Sequence, residues 1–349
     1  MFEHAVRRIL EGGGGWPGSL LRAILWFPGR IYGGLMRLRR AAYAGGVMDS
    51  FQPPLPAVSV GNLVVGGSGK TPFAAMLAKE LLALGEKPAI LLRGYRQTRG
   101  GWSDEAELLR RLCPGARIEV GANRRDSAER AANAGATILL LDDGFQYLKM
   151  RRVLDVVLVD AASPWGGGNC LPGGLLREPR IALGKCDAVV ITRSDQRSAT
   201  FIEELRTEIA ALAPPVPIFT ARHRPARLER LGGGGIPLEK LGGRDVVALS
   251  GIAKPEAFEK TLISLGARVV KSIVGRDHDP FDAVFVERAL ADAAAQNALV
   301  VTTEKDRAKQ IFSESADKNE WEELLVLGID LEIDGREELI ALARRKIGI

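Results

Sequence analysis

A chain of 349 residues, 46% of them hydrophobic and 26% charged, is globular rather than disordered and fits one large or two medium domains. Its net charge of +5 suits an anionic partner such as a nucleotide, a membrane surface, an acidic substrate or nucleic acid. Three scattered cysteines, Cys113, Cys170 and Cys186, exclude a zinc pattern and a disulfide framework and point to a reducing cytoplasm.

Residues 16–40 come first in chain order. Two apolar clusters, Leu20–Phe27 and Ile31–Leu38, are interleaved with Arg22, Arg30, Arg37, Arg39 and Arg40. A bilayer span takes about 20 consecutive, mostly apolar residues, and Arg22, Pro28 and Arg30 interrupt this run. No small-residue cleavage site follows, so a secretory signal fits poorly. The pattern predicts two short amphipathic helices broken at Phe27-Pro28-Gly29, either lying on a membrane interface or packing on the core.

"LPAVSVGNLV" reads as a buried strand that enters Gly66-Gly67-Ser68-Gly69-Lys70-Thr71, after which Phe73, Leu77, Leu81 and Leu84 keep helical spacing up to Gly85. Strand, glycine loop and helix together are the context of a phosphate-binding loop. Glycines let backbone N–H groups turn inward, the lysine reaches β/γ-phosphates, and the threonine hydroxyl ligates Mg²⁺. Val64 stands where the pattern G-x-x-x-x-G-K-[ST] has its first glycine. Val65 stands where membrane- and DNA-partitioning ATPases carry a signature lysine, which counts against that class.

"PAILLRG", "ATILLLDDG", "LDVVLVD" and "CDAVVITRSD" continue as strands alternating with helices, which predicts a parallel sheet covered on both faces. Asp142 and Asp143 end one of these apolar strands, the placement from which a carboxylate holds Mg²⁺ or its water. Gln146 follows as a polar reader. Asp104 and Glu105 open a helix, where carboxylates are favoured anyway. "LPGGLLREP" supplies Arg177 and Glu178, and "GRDHDPF" supplies His278, one of three histidines. Past a Gly-, Pro- and charge-rich stretch, "DVVALSG", "RVVKSIV" and "ALVVTTEKD" begin a second set of strands. The expected organisation is a basic, apolar N-terminal segment (1–50), a P-loop NTPase-like domain (51–225), a hinge (226–243) and a smaller α/β domain (244–349).

In this order, "SVGNLVVGGSGKTP", "RGY", "DE", "LDDGFQ", "LPGGLLREP", "DHDPF" and "TTEKD" resemble the tetraacyldisaccharide 4′-kinase family, from the basic N-terminal segment to about residue 309. A non-glycine residue at the position of Val64 is usual in that family. The resemblance implies a peripheral enzyme at the cytoplasmic face of the bacterial inner membrane. It would phosphorylate the 4′-hydroxyl of a tetraacylated glucosamine disaccharide 1-phosphate, the lipid A precursor, using ATP and Mg²⁺.

By the same resemblance, Gly66, Gly67, Ser68, Gly69, Lys70 and Thr71 hold ATP phosphates, with Thr71 on Mg²⁺. Asp104 is the catalytic aspartate and His278 its dyad partner. Glu105, Asp142, Asp143 and Glu178 position Mg²⁺ and its waters, while Gln146, Arg177 and either Arg124 or Arg125 contact phosphates. The chain departs from the family at Ser103-Asp104-Glu105-Ala106 (usually G-D-E-P), at Asp277-His278-Asp279 (D-H-H) and at Arg96 (R-G-Y-G). None of these removes a residue that phosphoryl transfer needs. Asp104 and His278 are read as lying in different domains, so domain closure would assemble the base. A lipid substrate tips the N-terminal segment toward membrane docking. Nucleic acid is not an expected partner, because the arginines are dispersed without an aromatic-rich recognition motif. The alternative is a membrane-cycling P-loop ATPase with no lipid acceptor.

Overall fold

The computed structural model describes residues 6, 9–94, 103–213, 215–252, 254–275, 281–309, 311–312, 321 and 323–349. In chain order the elements are α1 (Gly15–Ala44), β1 (Ala57–Asn62), α2 (Lys70–Ala83), β2 (Pro88–Leu92), α3 (Asp104–Leu112), β3 (Arg117–Val120), α4 (Arg124–Asn133), β4 (Ile138–Asp142), β5 (Leu154–Asp160) and β6 (Ala188–Thr192). There follow α5 (Ala199–Leu212), β7 (Ile218–Arg230), β8 (Gly235–Ile236), β9 (Asp245–Ser250), α6 (Pro255–Ser264), β10 (Arg268–Val274), α7 (Ala283–Ala295), β11 (Leu299–Thr303), α8 (Glu304–Arg307), β12 (Leu324–Asp334) and α9 (Arg336–Ile347).

The chain divides into two compact units. One comprises Met1–Arg93, Gly115–Arg222 and Glu332–Ile349, the other Gly94–Pro114 and His223–Leu331. In the first, the strand order is β7-β6-β5-β1-β4-β2-β3 with every neighbouring pair parallel. β1, β2, β4, β5 and β6 are buried along their whole length, as parallel strands covered on both faces must be. That is why each reads as a mainly apolar run, with buried polar residues such as Ser59, Asn62 and Asp155 as exceptions. β1 lies between β4 and β5, the switch point at whose carboxyl end a doubly wound sheet opens its ligand crevice. The expected P-loop NTPase-like α/β architecture is therefore present.

In the second unit β10, β9, β11 and β12 pair in parallel, and β8 pairs antiparallel with β7. Its core includes Val247, Leu249, Phe281, Phe312 and Leu324.

The division departs from the expected boundaries in three places. α3 groups with the second unit, because its buried face of Ala106, Leu108 and Leu109 finds cover against α8. Asp104 is thus in the second unit. Residues 226–243 are a β7–β8 hairpin and a 3₁₀ turn with Leu228, Leu231 and Leu241 buried, and the division between the units falls before them, at Arg222 and His223. Finally, α9 returns to the first unit. Arg336 pairs with Glu80, and Lys346 Nζ donates to Asp187 Oδ1 at 2.6 Å.

α1 corrects the expectation of two broken helices, since it runs unbroken for 30 residues through Pro28. Pro28 has no N–H for the Ile24 carbonyl one turn back, yet the helix continues. The 169–174 loop packs on the two carbonyls that follow. Asn169 Nδ2 donates to the Trp26 carbonyl at 3.2 Å, and Gly173 abuts the Leu25 carbonyl. Glycines face the protein: a Cβ on Gly29 would stand 2.6 Å from the Cys170 carbonyl, and one on Gly33 3.1 Å from Cys170 Sγ. The opposite face holds Trp16, Leu20, Ile24, Phe27, Ile31, Leu35 and Leu38, each more than half exposed. Packing of the apolar stripe on the core, the other expectation for this segment, does not occur. Spacings of four, four and three residues keep those side chains in one line, with Arg30 and Arg37 along one edge. Among the described residues, no helix is long and apolar enough to cross a membrane.

Candidate active site

The loop after β1 shows why Val64 needs no glycine. Val64 forms an antiparallel bridge with Leu176, the Val65 N–H donates to the Leu175 carbonyl at 2.8 Å, and the Arg177 N–H donates to the Leu63 carbonyl at 2.7 Å. The chain is extended here, and its sharp turning starts at Gly66 (φ 124°) and ends at Gly69 (φ 87°), conformations that favour glycine. Two strand ends tie the loop down. Thr192 Oγ1 donates to the Ser68 carbonyl at 3.0 Å, and Arg193, paired with Asp160, donates to the Gly67 carbonyl at 2.9 Å. Lys70 opens α2, with Nζ 3.2 Å from Asn62 Oδ1, 3.4 Å from the Gly66 carbonyl and 3.6 Å from Asp143 Oδ1.

β4 pairs with β1 so that Asp142 stands opposite Val60, which brings both aspartates to the loop. Thr71 Oγ1 donates to Asp142 Oδ2 at 3.1 Å. The other oxygen, Oδ1, is buried without a hydrogen-bond partner among the described residues. Burial pushes the Asp142 carboxyl above its ordinary range, against the pull of Lys70 and with the help of the Asp143 charge. For Asp143 burial also pushes upward, but Lys70 and Arg177 together outweigh it and hold this carboxyl low. Arg177 Nη1 donates to both Asp143 oxygens, at 2.9 and 2.7 Å. Asp143 itself has φ 56°, a left-handed turn that aspartate tolerates better than most residues. Gln146 donates from Nε2 to the Asn62 carbonyl at 2.9 Å. The turn lies so close to β1 that a Cβ on Gly61 would stand 2.8 Å from the Phe145 nitrogen.

The remaining expected residues divide. Arg124, not Arg125, reaches the site: its Nη2 donates to the Asp142 carbonyl at 2.6 Å, while Arg125 stacks 4.4 Å from the Phe51 ring. Arg124 is only 3% exposed, and its fork holds the Asp142–Asp143 backbone. Both Glu178 oxygens accept from Arg40, at 2.7 and 2.9 Å. Asp104 and Glu105 form the first turn of α3 in the second unit, with Ser103 Oγ capping the Ala106 N–H at 3.3 Å. His278 lies outside the described residues.

Sequence reasoning missed Asn62, Asp160, Thr192 and Arg193. Their signal was positional, since each stands at or just beyond the carboxyl end of an apolar strand beside the loop.

Mg²⁺ fits this site. A bare, buried Asp142 oxygen, a threonine hydroxyl already turned to the same carboxylate, and a buried Ser68 hydroxyl with no partner are hard oxygen donors. No group of three or more His, Cys, Asp or Glu side chains among the described residues could hold a metal. This suits an ion that takes one or two protein oxygens and completes its shell with phosphates and water.

The family model described as LpxK, tetraacyldisaccharide-1-P 4′-kinase, matches residues 21–347. The chain belongs to the tetraacyldisaccharide 4′-kinase family. A tetraacyldisaccharide 4′-kinase of Anaeromyxobacter sp. (strain Fw109-5) is 36% identical over 358 residues, covering 96% of this chain and 94% of the relative. One from Syntrophus aciditrophicus is 38% identical over 306 residues, with coverage of 78% and 80%. The crystal structure of LpxK from Aquifex aeolicus in complex with ATP superposes with a TM-score of 0.73 at 26% identity, over 94% of this chain and 99% of that one. Membership of this kinase family does not favour the membrane-cycling ATPase.

Proposed function

We propose that this chain transfers the γ-phosphoryl group of ATP to the 4′-hydroxyl of a tetraacylated glucosamine disaccharide 1-phosphate, the lipid A precursor. The observation that carries this reading is the convergence of Lys70, Thr71, Asp142, Asp143 and Arg177 at the carboxyl ends of β1 and β4, in a chain whose relatives are named for that reaction. Phosphoryl transfer asks for positioning and charge neutralisation rather than covalent help. Glycine-loop amides and Lys70 neutralise the β/γ-phosphates. Thr71 and Asp142 hold Mg²⁺, which when bound offsets charge on the phosphate oxygens. Arg177 and Gln146 offer N–H donors beside the same pocket. By their family roles, Asp104 takes the hydroxyl proton and His278 orients it.

In this reading α1 docks the enzyme on the cytoplasmic face of the inner membrane. An outward apolar stripe edged by arginines suits an interface whose lipids carry negative charge. No nucleic-acid partner is proposed.

The test is transfer from [γ-³²P]ATP to tetraacyldisaccharide 1-phosphate in mixed micelles, run beside Lys70→Ala and Asp104→Ala. Labelled lipid is expected from the wild type, with strong loss in both variants. Folded, ATP-binding protein that labels no lipid would sink the reading. An undiminished Asp104→Ala would keep the function and remove the proposed base.

A further inference from the structure

An anchor helix needs only to face lipid, yet α1 also grips the phosphate site from behind. Arg40 is on the inward side of α1, with its side chain 13% exposed, and its fork closes on Glu178, whose side chain is 3% exposed. Nη2 of the same guanidinium lies 3.3 Å from the Phe145 carbonyl, and the group stacks 4.4 Å from the Phe145 ring centre. Arg39 adds a 3.3 Å contact to the Gln146 carbonyl. Glu178 follows a segment already tied to the loop by the Val64–Leu176 bridge and the Arg177–Leu63 hydrogen bond, and Arg177 of that segment clamps Asp143.

We propose that Arg40 is a positioning residue for phosphoryl transfer, acting through Glu178 on the 175–178 segment and through the Phe145 carbonyl on the turn after Asp143. The proposal rests on the kinase reading. A buried ion pair is weak evidence for stability, since an apolar pair of similar volume often serves as well. What a two-pronged guanidinium–carboxylate contact supplies is a fixed orientation. Here it fixes a segment that touches both the phosphate loop and Asp143. A displacement of 1 Å in such a support can cost about a hundredfold in rate.

Arg40→Lys is the first test, because it keeps a charge against Glu178 while losing the fork. Its kcat is expected to fall about tenfold or more, with KM for ATP within about threefold of wild type. Binding to anionic vesicles should be unchanged, since Arg40 is not on the exposed stripe. Arg40→Ala should be slower still, and added guanidinium ion should recover part of its kcat by refilling the fork between Glu178 and the Phe145 carbonyl. Arg40→Lys with wild-type kcat overturns the proposal. So does an Arg40→Ala protein that melts like wild type and keeps wild-type kcat. Absence of transfer in the wild type removes the kinase reading and this proposal with it, whereas normal wild-type transfer beside either failure removes only the role of Arg40.

Discussion

Thr71 donates its hydroxyl proton to one oxygen of Asp142, at 3.1 Å, and the other oxygen of that buried carboxylate has no hydrogen-bond partner among the described residues. A group arranged this way is waiting for a cation. Its pKa is raised, first by burial, so the associated stability is complete below the unfolded value of about 3.9 and is lost as pH rises through the folded value. Above that folded value the unliganded protein carries an unfavourable buried charge. There Asp142→Asn should melt at or above wild type without ligand, and only wild type should gain from Mg²⁺ with ATP. Transfer should drop by about a hundredfold or more. A variant that melts lower without ligand would show that the carboxylate is satisfied in the free protein.

Arg177→Met tests the opposite shift. The Asp143 carboxyl is held low because Lys70 and Arg177 outweigh burial. Its contribution is thus present above the unfolded pKa and is lost as pH falls through the folded one. Removing Arg177 leaves Lys70 and the weaker pull of Arg124, so the loss should begin at a higher pH. Melting curves of both proteins between pH 2.5 and 7 should diverge at neutral pH and converge in acid. The pair is partly exposed, so solvent screening keeps the difference small.

Gly61→Ala probes the contact between β1 and the turn after Asp143. The added methyl would meet Phe145 backbone and Cβ atoms, which cannot swing away as a flexible side-chain end could. A loss of about 1–3 kcal/mol is expected, together with weaker ATP binding measured by calorimetry. Normal melting and normal ATP affinity would mean the turn can move without cost.

Val64→Gly would restore the common phosphate-loop pattern, and it should help nothing. The residue is extended and bridged to Leu176, so glycine there adds unfolded-state freedom and costs about 0.5–1 kcal/mol. Nucleotide affinity should stay level or fall. Tighter binding would show that the bridge restrains the loop.

Ile24→Asp and Leu35→Asp address the stripe on α1. Both side chains are more than half exposed, so melting should change by no more than about 0.5 kcal/mol. Co-sedimentation with anionic vesicles should fall sharply, and wild-type binding should weaken with salt. Gly33→Leu should do the reverse: its side chain has no room against Cys170, so the fold suffers first. Undiminished vesicle binding by both aspartate variants would exclude the stripe as the lipid contact.

The parallel sheet and the phosphate loop were legible because fully buried strands leave mainly apolar runs and the loop chemistry is local. Asp142 was legible for the same reason, as a carboxylate at a strand end. What stayed hidden depended on distant partners. Pro28 reads as a break until Asn169 and Gly173 are seen covering the turn before it. Glu178 gives no sign in the sequence of its partner Arg40, far back in the chain, which donates to both its oxygens. The grouping of α3 with the second unit hangs on a face of three buried residues meeting α8, which no spacing within α3 announces.

The return of α9 to the first unit bears on how the protein is made. The strands that carry the phosphate loop and Asp142 leave the ribosome early. Yet the segment that pairs Arg336 with Glu80 and Lys346 with Asp187 is among the last to be synthesised. The second unit lies between them in the chain and can fold first, while the nucleotide-binding half stays open along one side. Chains cut short after β12 should therefore contain a finished smaller unit and a larger one that still lacks α9, the kind of exposed intermediate that chaperones and proteases recognise.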